Sequence, residues 1–70
     1  MEATVTAIMA LADIIEDTAR ESMPMGAPSG HVYAALMSVG VNLSLYNGIL
    51  AVMQSSGRIV LDGNLIRVPA

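Results

Sequence analysis

The tripeptide Gly40-Val41-Asn42 constrains this chain more than any other feature, because it leaves almost no length between two runs of helical periodicity. Upstream, Val32, Ala35, Leu36 and Val39 recur at the i, i+3, i+4, i+7 spacing of a buried helix face and are expected to point inward. That periodicity predicts a helix over about 30–39, opened by Ser29 as a side-chain cap after Pro28. Gly40 supplies the left-handed stop, and Asn42 is placed to cap a further helix over about 43–56. In that helix Tyr46, Ile49, Leu50 and Met53 fit the buried side, and Gly57 ends it. So short a connection turns the chain sharply and crosses the two helices at a steep angle.

After Gly57 the hydrophobic period changes from helical to alternating. Arg58-Ile59-Val60-Leu61 and Leu65-Ile66-Arg67-Val68 flank Asp62-Gly63-Asn64, which predicts a hairpin over 58–68. With Gly63 and Asn64 at the centre of the turn, Ile59 lies opposite Val68 and Leu61 opposite Ile66, all four on one face, while Val60 and Arg67 share the other. A turn centred on Asp62 and Gly63 would set Leu61 against Asn64, so the first register buries more apolar surface. Two strands alone are barely stable, and the hairpin must pack on the helices.

The N-terminal third reads as one helix over about 3–21, since Val5, Ile8, Ala12, Ile15 and Ala19 keep helical spacing without a glycine or proline. Glu2, Thr6, Asp13, Glu16, Asp17 and Arg20 fall on the opposite arc, with Met9 and Ala10 among them. Ala7, Leu11 and Ile14 widen the apolar arc to about half the helix, beyond the stripe of about 100° that one core contact demands. Two readings follow: a helix sunk deeply into its own core, or a second, intermolecular contact through Leu11 and Ile14. Residues 22–28 hold Pro24, Gly26 and Pro28 among small residues and read as a loop, with Met23 and Met25 expected to cover the edge of the core.

Seventy residues make a single domain over 1–70, near the lower limit for a hydrophobic core that holds without help. There is no cysteine, hence no disulfide or thiolate metal site, and association with another chain is the remaining common remedy. The composition is 54% hydrophobic, but the longest apolar run near the N-terminus, Ala7 to Ala12, meets Asp13 far short of the roughly 20 residues that span a bilayer. No membrane association is expected. Glu2 stands where a secretory signal would carry a basic residue, which leaves a cytoplasmic location as the default expectation.

The order helix, helix-turn-helix, hairpin resembles the winged helix-turn-helix superfamily over nearly the whole chain. Asn42 at the cap of the third helix, Tyr46, Ile49, Leu50 and Met53 at its buried positions, and Gly57-Arg58-Ile59 at the entry to the wing carry the resemblance. It implies a mostly α fold of three helices followed by a two-stranded wing. It also implies that helix 3, the helix that commonly enters the major groove in this superfamily, projects Leu43, Ser44, Asn47, Gly48 and Ala51. The wing tip would project Asp62, Gly63 and Asn64, with Arg58, Arg67 and Asn64 as candidate phosphate contacts.

The chemistry departs from the DNA-binding version. Net charge is -3, lysine is absent, and arginine stands only at positions 20, 58 and 67. Helix 3 has no cationic donor for phosphate, although such contacts supply most nonspecific affinity for DNA. Asn47 can read adenine, a contact worth about 1–3 kcal/mol of discrimination. Gly48 in mid-helix costs about 1 kcal/mol relative to alanine, which either reflects the close approach of another backbone, relieves crowding against helix 2, or is simply tolerated.

No constellation reaches catalysis. Asp13, Glu16 and Asp17 share a helix face with Arg20 one turn on, and Glu16 to Arg20 has the spacing of an i,i+4 ion pair rather than of a metal site. His31 reads as an ordinary residue of a helix start, and Ser29 with His31 has no patterned carboxylate to complete a triad. Gly26 and Gly30 are not followed by the lysine of a phosphate loop. The sequence therefore favours a non-enzyme without cofactor, metal or small-molecule substrate, acting through protein contacts as a homodimer or within an assembly. The alternative is a small DNA-binding transcriptional regulator that uses helix 3 and the wing arginines, with weak binding by the isolated chain.

Overall fold

The computed structural model of this chain describes residues 5–69. Helix α1 spans Val5–Glu21, and the two preceding residues of the expected helix, together with Glu2, lie outside the described residues. Its inner stripe of Leu11, Ala12, Ile15 and Ala19 is buried, with Ile8 half-buried against the same core. Leu11 is 7% exposed, so the wide apolar arc is resolved mostly in favour of the chain's own interior: of the two residues offered for an intermolecular contact, Ile14 at 51% is free to serve and Leu11 is not. Val5, expected inward, is 74% exposed.

The segment after α1 holds an element that the sequence did not announce. Ala27–Pro28 forms a two-residue strand, β1, inside what reads as a loop. It pairs antiparallel with the last strand, Ala27 opposite Ile66 and Pro28 opposite Leu65. Proline has no N–H to give, which an edge strand tolerates, and β1 is an edge. Gly26 makes the approach possible: its φ is +91°, and a Cβ there would sit 2.8 Å from Arg67 Cγ and 2.9 Å from the Ile66 carbonyl oxygen. Met25 is 74% exposed and does not cover the core edge, while Met23, at 37%, borders the wing.

Helix α2 spans Ser29–Met37, two residues shorter at its C-terminus than the sequence suggests. Pro28 takes the cap position, with φ -62° and ψ 124° and no side-chain cap bond, because the chain enters the helix directly from β1. Ser29 is thus the first helical residue, and its backbone N–H donates to the Asn64 carbonyl oxygen at 2.8 Å. Only Val32 and Leu36 of the expected inward set are buried in α2. Ala35 is exposed on the solvent side, and Val39 falls beyond the helix end and is 58% exposed.

The turn is built as its residues require. Val41 N–H donates to the Leu36 carbonyl oxygen (3.3 Å) and Gly40 N–H to that of Met37 (3.0 Å), with Gly40 at φ +92°, the paired bonds of a Schellman motif. Val41 closes it by burying beside Leu36 in the core. Asn42 then caps α3, Leu43–Ser55, its side-chain oxygen accepting from Leu45 N–H at 2.8 Å. Tyr46, Ile49, Leu50 and Met53 are buried as the periodicity indicates. The Tyr46 phenol donates to the Ser29 carbonyl oxygen (3.0 Å) and lies 3.0 Å from the Ser29 hydroxyl, tying the start of α2 to α3. Burial pushes this phenol above its ordinary pKa.

Strands β2, Val60–Asp62, and β3, Leu65–Arg67, form the wing in the register that buries more apolar surface: Val60 opposite Arg67, Leu61 opposite Ile66, Asp62 opposite Leu65. With β1 they make a three-stranded sheet ordered β1-β3-β2. Of the four residues expected on the inner face, Ile59 and Ile66 are buried, Val68 is half-buried, and Leu61 is 37% exposed. Ile66 lies on the central strand and is flanked by β1 and β2, whereas Leu61 sits on an edge strand with a neighbour on one side only. The result is three helices followed by a two-stranded wing, in winged helix-turn-helix order.

Candidate interaction face

Because the inner side of α3 is committed to the core, its remaining residues define what the molecule can present. Leu43, Ser44, Asn47, Gly48, Ala51 and Val52 are all exposed, and no charged residue occurs anywhere in the helix. The five positions assigned to the outward face from the sequence are therefore brought together on one surface. Val52, 68% exposed, is added to them.

Gly48 does not relieve crowding. A Cβ built on it meets no heavy atom within 4 Å, so the space beside it is open, and that space is a groove between α1 and α3 of about 380 Å³. Ile8, Met9 and Ala12 form its α1 wall, and Ser44, Gly48 and Val52 its α3 wall. Met9 is 60% exposed, as its place on the polar arc of the helix implies. Met9 and Val52 are the residues that sequence reasoning passed over; the available signal was a large apolar side chain at an outward helical position.

The other end of the same face is closed by charge. Gly57, at φ +81°, ends α3 in a second pair of Schellman bonds, Arg58 N–H to the Met53 carbonyl oxygen (2.9 Å) and Gly57 N–H to that of Gln54 (3.1 Å). This geometry folds the chain back and sends Arg58 across to α1. There its Nε donates to Glu16 Oε1 and its Nη2 to Asp13 Oδ1, each at 2.7 Å. Glu16 also accepts from Arg20 at 2.8 Å, the i,i+4 pair anticipated from spacing, and Arg20 lies 3.5 Å from Asp17. The hydrogen bonds from Arg58 and then Arg20 hold the Glu16 carboxyl below its ordinary pKa, and those from Glu16 and Asp13 raise that of Arg58.

Both wing arginines are engaged within the chain. Arg58 is held by two carboxylates, and Arg67 donates to the Pro24 carbonyl oxygen at 2.8 Å and meets Asp62 at 3.4 Å. Asn64 is exposed at the wing turn, with its backbone carbonyl already accepting from Ser29. The arginines at 20, 58 and 67 are all paired within the chain.

The Ser29 hydroxyl lies 3.0 Å from the Tyr46 phenol, and His31 is exposed on the first turn of α2. Among the described residues, no group of three or more His, Cys, Asp or Glu side chains could hold a metal ion, and no helix is long and apolar enough to cross a membrane. No known family model, curated protein or solved structure matches this chain.

Proposed function

We propose that this chain is a non-enzymatic winged-helix interaction module that acts through protein contacts at its α1–α3 face, in the cytoplasm. The observation that carries this reading is the division of that face. Its apolar part is open, with Met9 and Val52 exposed around the Gly48 groove, while its cationic part is bonded internally. A contiguous apolar surface left open marks a contact site, whereas paired charges have little left to offer a polyanion.

The winged layout supports a second reading, a small DNA-binding regulator, because α3 occupies the position from which such domains address DNA. The two readings part in a backbone amide titration with duplex DNA at low salt. Progressive shifts in α3 and wing amides that collapse on adding salt would replace the protein-contact reading. An unchanged spectrum would remove the DNA reading for this chain.

A further inference from the structure

We infer that the α1–α3 groove receives α3 of a second copy of this chain, the two helices running antiparallel about a two-fold axis. This rests on the protein-contact reading above and names its partner. Gly48 and Val52 lie one helical turn apart on the same side of α3, one an empty hollow and the other a protruding side chain. An axis crossing α3 at the height of Leu50 sets Gly48 of each copy opposite Val52 of the other, and Ser44 opposite Ser56. A two-fold contact requires a patch that is its own complement, and a knob beside a hole on one helix satisfies that condition.

Charge is compatible with this occupant, and area places the contact in the weak class. Since α3 carries no charged residue, two chains of net charge -3 meet there without opposing like charges. Thirteen residues give α3 a length of about 20 Å, and two helices packed 8–10 Å apart give the face a similar width, roughly 400 Å² in projection. A standard interface buries about 800 Å² of accessible surface per partner, so a face of this extent belongs to the small, transient class.

Sedimentation or light scattering between about 10 µM and 1 mM tests the inference. The mass should rise from 7.3 kDa toward twice that value. Val52→Asp and Val52→Lys should both hold the chain at monomer mass with unchanged helical circular dichroism, the lysine variant showing that added negative charge is not the cause, because it brings the net charge from -3 closer to zero. The absence of native cysteine permits a second readout: a mixture of Gly48→Cys and Val52→Cys chains should form mixed disulfides in preference to either chain alone. A dimer that survives both Val52 variants, or disulfides without that preference, overturns the inference and leaves the protein-contact reading standing. A monomer at 1 mM overturns it as well, and the protein-contact reading then falls only if α3 amides respond to duplex DNA.

Discussion

The two ends of α1 meet the rest of the molecule in opposite ways. At the C-terminal end, Asp13 and Glu16 engage Arg58 while Glu16 and Asp17 engage Arg20, so that the surface charge is consumed inside the chain. Toward the N-terminal end, Val5 is 74% exposed and Met9, at 60%, stands on the wall of a groove that no described residue fills. The same helix thus shows a satisfied surface and an unsatisfied one. In a chain with so few charges, the satisfied surface belongs to the fold, and the open one is where the proposed contact falls.

The comparison can be broken most severely from beneath, at the core that supports both ends. Ile66→Ala removes a fully buried side chain from the central strand and should cost about 2–5 kcal/mol, enough to unfold much of so small a domain in a urea titration. If the loss were below about 1 kcal/mol, the sheet would not be seated on the helices as described. Gly26→Ala comes next, at more than about 1 kcal/mol, because the new Cβ meets both a left-handed backbone and the Ile66 carbonyl oxygen. Thermal unfolding reads it directly.

Gly48→Ala sharpens the comparison by separating fold from contact. With open space around the new methyl group, the helix should gain up to about 1 kcal/mol, while self-association weakens as the hollow fills. Tighter association in this variant would mean that the hollow is not used.

The smallest effect belongs to the charged end. Glu16→Gln should lower stability at neutral pH, but only modestly, since its partners are partly exposed. The sign follows from linkage: with its folded pKa depressed, Glu16 contributes fully above its ordinary value of 4.5, and the contribution is lost as the pH falls through the lower folded value. The gap between wild type and variant should therefore close in acid and stay open above pH 4.5.

Much of the fold was legible because its boundaries are local. Gly40, Asn42 and Gly57 each act within a turn of their own position, and the register of the wing follows from alternation around Gly63-Asn64. What escaped depended on partners far along the chain. β1 has two residues and no pattern of its own; it exists because β3, almost forty residues later, lies beside it. The pairing of Arg58 was hidden because its carboxylates are 42 and 45 residues upstream. The candidate face was half readable: the uncharged outer side of α3 is explicit in the sequence, but the groove it shares with α1 appears only when Met9 and Gly48 are brought to the same place.

The placement of the aromatic rings gives this molecule a built-in spectroscopic probe. Tyr33 and Tyr46 are the whole aromatic complement, and their ring centroids lie 5.2 Å apart at the junction of α2 and α3. Intrinsic emission is therefore tyrosine emission alone, and it reports on one joint. A chain whose helix-turn-helix comes apart will change its fluorescence, whereas one that only gains or loses a companion at the groove will remain optically silent, so the two events can be followed in the same cuvette by different instruments.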